Sequence, residues 1–492
     1  MTETDATDDL REARLHKLEA VRALGVDPFP RRYERTHLSA EVLAGFDELE
    51  GKTVRVAGRL VGAIRLFGKA GFAHLLDAGG RIQVYFKKDN LDERGFATFR
   101  ELDTGDFIGV EGPPFRTKTG EITIEARNVT FLAKALRPLP EKWHGLTDVE
   151  KRHRQRYLDL IANEDVRQTF ALRSQAIRSI RDFLDGRGFV EVETPVLQAV
   201  AAGAAARPFE THSNALDQEL YLRIALELYL KRCIIGGIER VFEIGRIFRN
   251  EGLSVKHNPE FTMLELYQAY ADYNDIMELV EHLVSHVAQD VLGTTHLKWG
   301  DETLDVSPPW PRRTMRELLM AHAGLDYAEH PNAASLGEAA QRAGLTIEPS
   351  WSRAKLIDEL MTVLVEPKLI QPTFVVNYPA ETTPLAKRRA DAPDEVERFE
   401  AYAAGMEIAN AFSELNDPIE QLRRLEAQVE ARADGDDETQ AVDRDFVEAM
   451  EHGMPPTGGL GLGIDRLVML LTNRQSIREV ILFPQLRSRE AR

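Results

Sequence analysis

The sequence predicts an α+β protein in two parts: a small N-terminal β-barrel, then a larger domain built on an antiparallel sheet flanked by helices. Three features point that way. Five short strand-like runs crowd into residues 52–132. Beyond them, helical and extended patterns alternate without the regular strand–helix–strand beat of a parallel sheet. The length, 492 residues, leaves room for two or three domains and at least one large core.

From the N-terminus, Leu15, Leu18, Val21 and Leu24 recur every third residue, which predicts a helix over residues 8–24. Gly25 and Asp27-Pro28 stop it. Residues 29–50 read as a polar connector with a short helical piece, so residues 1–50 form a helix and connector. Strands follow at Val54–Leu60, Gly71–Asp77, Arg81–Phe86, Asp106–Val110 and Glu121–Ile124. Gly79-Gly80 and Thr119-Gly120 mark turns, and residues 90–102 a helical insertion. Together these predict a barrel of the OB type over residues 51–133. Pro138 and Pro140 make residues 134–150 a semi-rigid linker. A basic run, Lys151, Arg152, His153, Arg154 and Arg156, opens the second domain at residue 151; by itself it suits a solvated helix face. Within 151–492, helices are predicted at 166–187 and 274–292. A strand from Gly188 ends at Pro195, a mainly helical insertion fills about 310–365, and 417–452 is charged and helical.

Composition excludes several classes. No apolar run reaches the length that spans a bilayer, about 18 residues or more. Met1-Thr2-Glu3-Thr4-Asp5 has neither the basic start nor the apolar middle of a signal peptide. The single cysteine, Cys233, makes no intrachain disulfide and no thiolate zinc site, so a cytoplasmic location is expected. A net charge of −18 argues against a general polyanion binder; any nucleic acid must meet a local basic patch on an acidic body.

Three blocks carry chemistry. Residues 239–270 read as strand, polar loop, strand. Residues two apart share a strand face, so Arg249 pairs with Glu251, and Glu265 with Tyr267, while the loop holds Lys256 and His257. An arginine beside a carboxylate under a cationic loop suits a nucleotide, and equally a surface hairpin. In residues 398–417, Asn410, Phe412 and Glu414 share one face, with Glu400 and Glu407 nearby; the carboxylates suit an oxygen-ligand set for Mg2+, and equally a solvated sheet face. Gly458-Gly459-Leu460-Gly461-Leu462-Gly463-Ile464-Asp465-Arg466 reads as a glycine-rich turn feeding a helix, suited to phosphate but by itself equally to a plain glycine-rich connection. It is not the dinucleotide fingerprint, and too little chain follows for that fold.

Taken together the blocks resemble class II aminoacyl-tRNA synthetases. The helix and strand of about 170–195 resemble motif 1. Phe248-Arg249-Asn250-Glu251 with its second strand, within about 239–270, resembles motif 2. Gly461–Arg466, within about 458–472, resembles motif 3. The nearest resemblance is to bacterial-type lysyl-tRNA synthetases, on Arg154-Gln155-Arg156-Tyr157-Leu158-Asp159-Leu160, Tyr221-Leu222-Arg223-Ile224-Ala225 and Phe412-Ser413-Glu414-Leu415-Asn416-Asp417. The resemblance implies that L-lysine is joined to tRNA(Lys) at the expense of ATP, through an adenylate, with Mg2+. Arg249 and Arg466 would be the catalytic residues, holding the α- and γ-phosphates. Glu251, His257, Asn258, Phe261 and Gly463 would surround ATP, and Glu400 and Glu407 would bind both ATP and metal. Gly203, Glu227, Glu265, Tyr267, Asn410, Phe412 and Glu414 would line the lysine pocket. Phe72, Gln83 and Glu121 would read the anticodon, and motif 1 would form a homodimer. The chain departs from many relatives at Leu226, where they have proline, at Ala409 and Ala411, where some have glycine, and at Met406, where arginine is common.

Lysine itself has a physical argument. A substrate ε-ammonium taken out of water needs a buried anion, which Glu227 and Glu414 supply. Aspartate or asparagine would want a cationic or amide partner. A relative that lysylates protein lacks the barrel, and a non-catalytic paralogue should have lost the motif arginines present here.

Overall fold

In the computed structural model the described residues are 3–140, 146–204, 206–433 and 442–487. They fall into two compact units, Met1–Asn163 and Glu164–Arg492.

The first unit opens with α1 (Glu3–Ala23), α2 (Ser39–Ala44) and α3 (Phe46–Leu49). Three strands follow, β1 (Val54–Phe67), β2 (Ala70–Asp77) and β3 (Gly80–Lys87). After α4 (Glu93–Arg100) come β4 (Phe107–Gly112), β5 (Pro114–Arg116), β6 (Ile122–Glu125) and β7 (Asn128–Ala133). One sheet holds all seven in the order β5-β6-β3-β2-β1-β4-β7. β1 runs well past the expected stop at Leu60. Its first half pairs with β4 and its second with β2, with a register shift between Val61 and Arg65. Gly62, at φ +72°, sits in that shift, where a side chain would be strained. Two strands exceed the five expected: β5 is only three residues long and begins on proline, and β7 closes the far edge. Val54, Val56, Leu75, Val84, Phe86, Ile108 and Phe131 fill the interior, joined by Val21 of α1.

The start of the expected linker belongs to this unit. Lys134 is buried, its ammonium 2.6 Å from Asp103 and 2.9 Å from Asp106, and Arg14 of α1 donates to the Ala135 carbonyl at 2.8 Å. Part of the linker, residues 141–145, lies outside the described residues. The basic run forms α5 (Val149–Arg154) and the start of α6 (Arg156–Ala162). It is not a simple solvated face. Asp159 is buried and accepts from Arg152 at 2.9 Å and Arg156 at 2.5 Å, and His153 and Arg156 are themselves buried.

The second unit runs α7 (Glu164–Asp185), β8 (Val190–Glu191), β9 (Leu197–Gln198), β10 (Glu210–Ser213), β11 (Gln218–Leu222) and α8 (Glu227–Ile235). Next come β12 (Arg240–Phe248), β13 (Glu260–Ala269), α9 (Tyr273–Leu292), β14 (His296–Trp299), β15 (Glu302–Asp305) and β16 (Arg312–Thr314). The insertion supplies α10 (Met315–Ala323), α11 (Ala333–Arg342) and α12 (Arg353–Leu360). It leads to β17 (Thr373–Pro379), β18 (Glu395–Ala403) and β19 (Met406–Ser413). Then follow α13 (Pro418–Ala433), α14 (Arg444–Glu451), β20 (Thr457–Gly463), α15 (Ile464–Thr472) and α16 (Ile477–Val480). Of the charged stretch 417–452, residues 434–441 lie outside the described residues.

The main sheet has eight strands in the order β16-β17-β18-β19-β20-β13-β12-β8. Its centre is antiparallel; only the outer pairs β16–β17 and β12–β8 are parallel. One face packs on α7, α9 and α15 through a core that includes Ile180, Phe183, Leu264, Leu266, Val280, Leu462 and Leu467. α9 is well bounded, with an Asp272 capping box at one end and Gly293 at φ +72° at the other. The insertion packs its own core, Leu318, Leu319, Leu336, Leu356 and Ile357, against β17 and β18. The expected strand from Gly188 is reduced to two residues, because β8 is the edge of the sheet.

The third block is not a turn. Gly458–Gly463 lies in β20, hydrogen-bonded to β13 on one side and β19 on the other. Its glycines answer crowding across the faces. A Cβ on Gly458 would come within 2.6 Å of Ile276, and one on Gly459 within 1.9 Å of Glu414 Oε1. Met406, Ala409 and Ala411, three of the departures, are buried in the apolar core.

Candidate active site

The face of the sheet away from α7 and α9 opens into a cavity of about 440 Å3. β13 sends Glu265 and Tyr267 into it, two residues apart as strand geometry requires. β19 adds Asn410 and Phe412, with Glu414 one residue past its end, and α8 contributes Glu227 from its first turn. Gly203 completes this part of the wall at φ +94°. Arg249, Glu251, His257 and Asn258 come from the loop between β12 and β13, Phe261 from β13 itself, Glu407 from β19, and Gly463 and Arg466 from the β20–α15 junction. Every residue expected at the ATP and lysine sites lines this one cavity except Glu400.

The carboxylates are buried together. Leu226 N–H donates to Glu265 Oε1 at 2.9 Å, and the Tyr267 hydroxyl donates to Oε2 at 3.2 Å. Proline at position 226 could not make the first bond. Burial, and next Glu227, push Glu265 up to about 7, against the pull of these donors and of Arg249. Burial likewise pushes Glu414 up, opposed by Lys231. Glu414 Oε2 is paired with Lys231, whereas Oε1 receives no hydrogen bond from the described residues. A buried acceptor without a donor costs about 1–3 kcal/mol, which a ligand ammonium would recover.

Around the arginines the polarity reverses. Arg249 is partly buried; its Nε donates to the Ile224 carbonyl at 3.3 Å, and its guanidinium lies 5.4 Å from the centre of the Phe261 ring. Arg466 donates to Glu407 twice, to the main-chain oxygen at 2.6 Å and to Oε2 at 3.1 Å, and its other arm reaches His257 Nε2 at 3.3 Å. Burial first, then Arg466, holds His257 below the ordinary histidine value, so the neutral ring accepts from Arg466. Asn258 Nδ2 donates to the Glu260 carbonyl at 2.6 Å, and its buried Oδ1 has no donor among the described residues.

Glu400 sits one step back. Its carboxylate accepts from Arg398 at 2.5 Å, from Tyr378 at 2.9 Å and from Tyr402. Arg398, not Glu400, reaches the cavity wall. No cluster of three or more potential metal-ligating side chains exists among the described residues. An arginine clasps each expected metal carboxylate: Arg398 on Glu400 and Arg466 on Glu407.

Three participants escaped the sequence reading. Lys231 follows Glu227 by four residues, an i,i+4 pair legible on a helix. Arg398 lies two residues from Glu400 on one strand face. Arg173 of α7 leaves no local signal: it donates to Asp465 at 2.6 Å and to Thr262 at 3.0 Å, while Asp465 accepts from Thr262 N–H at 2.7 Å. That hub ties α7, β13 and α15 together directly behind Arg466.

In the first unit, Phe72, Gln83 and Glu121 share a face of β2, β3 and the approach to β6. Gln83 Nε2 donates to Glu121 at 2.8 Å, and the Phe72 ring lies 4.8 Å from Tyr85. His74, 3.2 Å from Glu121, and the rings of Tyr85, Phe67 and Phe115 extend this face; the sequence reading did not include them.

A family model described as class II tRNA synthetases (D, K and N) matches residues 148–487, and one described as an OB-fold nucleic acid binding domain matches residues 54–132. An antiparallel-centred sheet carrying paired arginines and carboxylates over one cavity, preceded by such a domain, is the architecture of a class II tRNA synthetase. The chain is 56% identical to the lysine–tRNA ligase of Moorella thermoacetica over 99% of both chains. It is 54% identical to that of Pelotomaculum thermopropionicum, over 98% of this chain and 96% of that one. To that of Carboxydothermus hydrogenoformans it is 52% identical, over 98% and 99%. Within the class, this chain belongs to the family of lysine–tRNA ligases.

Proposed function

We propose that the chain uses ATP to join L-lysine to tRNA(Lys) through a lysyl-adenylate, releasing pyrophosphate and then AMP. The observation that carries this is the convergence of buried Glu227, Glu265 and Glu414, one with an unsatisfied acceptor, in a cavity that also holds Arg249 and Arg466. A diamino acid supplies the two ammonium groups such a site lacks. Its carboxylate attacks the α-phosphorus of ATP in line, and the terminal ribose hydroxyl of tRNA then attacks the acyl carbon. Neither step needs a nucleophile from the protein. Arg249 holds the α-phosphate and Arg466 the γ-phosphate, so catalysis is positioning and charge stabilisation. Asn258 Oδ1 is placed to accept from the base, and Phe261 to stack on it.

Two carboxylates without nitrogen or sulfur donors suit Mg2+, which is held by one or two such groups together with substrate phosphates. Glu407 and Glu400 would hold it, each exchanging its arginine for the cation, and it would neutralise phosphate charge. Residues 51–133 read the anticodon through Phe72, Gln83 and Glu121, and residues 151–492 perform the chemistry. Val190 on the edge strand β8, with Val196 and Leu197, leaves apolar surface exposed, which supports a homodimer through motif 1. The location is cytoplasmic; no helix among the described residues is long and apolar enough to cross a membrane.

The test is ATP–pyrophosphate exchange across the amino acids. Lysine should drive it, Arg249→Ala should abolish it and Glu227→Ala should severely weaken it. Exchange driven by aspartate or asparagine instead of lysine would refute the reading.

A further inference from the structure

We propose that Lys231 is a specificity-determining positioning residue of the amino-acid pocket: its buried ammonium, held between Glu227 and Glu414, sets how many positive charges the pocket takes from its substrate. This rests on reading Glu227, Glu265 and Glu414 as the residues that receive lysine.

Lys231 is 0% exposed. It stands four residues after Glu227 on α8, so both side chains leave the same side of the helix. Its ammonium lies 2.5 Å from Glu227 Oε1, is paired with Glu414 Oε2, and is 5.9 Å from the centres of the Tyr267 and Phe412 rings. These are the residues expected around the substrate side chain, yet Lys231 does not line the cavity. It reaches them from behind the wall, as a resident ammonium beside the place a substrate ammonium would take.

The charges then balance. Glu227 from α8, Glu265 from β13 and Glu414 beyond β19 bring three potential negative charges. Lys231 compensates one, which leaves two, the number of ammonium groups on lysine. Tyr267 on β13 is held protonated, its hydroxyl pushed well up by burial, and β20 offers only Gly459 and Gly461 here. Arg249 faces Glu265 from the loop after β12, and its charge is the one assigned above to the α-phosphate. Near α14, Asp443 and Asp445 are taken by Arg232. A monoamino acid would leave one buried carboxylate uncompensated, which is costly.

Without the Lys231 charge, three carboxylates would face two ammonium groups. Glu414, already pushed up to about 8 by burial with Lys231 beside it, loses the charge that holds it down, so it keeps its proton to higher pH still, and the neutral acid does not receive an ammonium. Binding lysine must then expel that proton.

The experiment is calorimetric titration of the full-length wild type and Lys231→Met with lysine, from about pH 6 to about pH 9, with ATP as the second ligand. Lysine should bind the variant about tenfold or more weakly near pH 7 and recover toward pH 9, an alkaline displacement of the binding midpoint by about one pH unit or more. ATP binding should be unchanged, and Lys231→Arg should keep the wild-type midpoint. A Met variant with wild-type lysine affinity, or with weaker affinity and an undisplaced midpoint, overturns the proposal. If the Met variant does not fold, Lys231→Arg carries the test, and loss of lysine binding there overturns it. Failure of both to fold also overturns it, because the ion pair would then serve the fold. Failure of the wild type to bind lysine would instead strike the pocket reading itself.

Discussion

At the scale of single residues, the pocket has no room for one more carbon on its β20 wall. Gly459 shows this best, since its missing side chain is the space that Glu414 Oε1 and the Tyr267 ring occupy. Gly459→Ala should abolish lysine-dependent exchange while ATP binding, measured by calorimetry, persists. Leu226→Pro removes the donor to Glu265 Oε1; lysine affinity should fall about threefold to tenfold, consistent with the loss of one ordinary hydrogen bond. The pH dependence has a definite sign. With Glu265 raised to about 7, the carboxyl is largely neutral below that pH and charged above it. An ammonium ligand prefers the charged form, so lysine affinity should rise between about pH 6 and about pH 8. A fall over the same interval would exclude Glu265 as an acceptor for the substrate. Glu265 and Tyr267 were legible in the sequence because alternation on a strand is local. Lys231 was visible only as a helix pair, since its second partner, Glu414, is brought in by the sheet.

At the scale of elements, the Arg173 hub joins α7, β13 and α15, the three elements that resemble motifs 1, 2 and 3. Arg173→Ala would strand the buried Asp465 carboxylate, at a cost of about 3 kcal/mol or more. The melting temperature should fall, and the KM for ATP should rise because Arg466 follows Asp465 directly. Asp465→Asn should be milder, since the amide still accepts one hydrogen bond. Unchanged melting and KM in Arg173→Ala would show the hub to be idle. Elements with strong periodicity were plain in the sequence: α7, α9, β12 and β13 fall close to their expected bounds. β20 was not, because a run of glycines gives no alternation to read. Its strand character comes from hydrogen bonds to β13 and β19, both remote in sequence.

At the scale of the whole molecule, an acidic chain must bind an acidic RNA. The run Lys151–Arg156 supplies less free positive charge than expected, since Asp159 takes up Arg152 and Arg156. The proposed barrel face relies instead on rings and amides, Phe72, Tyr85 and Gln83, which recognise unstacked bases. Phe72→Ala and Gln83→Ala should each weaken tRNA charging about tenfold or more, while lysine-dependent exchange stays near wild type. Loss of both activities together would make the barrel face purely structural. Raising salt should weaken tRNA charging far more than exchange, because phosphate contacts release counterions.

Local pattern alone determined a good deal of this protein. Period-two and helical spacing gave the strands and helices, and the motif blocks gave the class and most of the residues that line the cavity. Tertiary structure decided what depends on partners remote in sequence. It turned the basic run into an ion-pair hub, set Glu400 behind Arg398, and made the glycine block a central strand. It also placed Lys231 between two carboxylates that lie far apart along the chain. The physical reason is the same in each case: periodicity is a short-range property, whereas burial and charge pairing are settled only when distant segments meet.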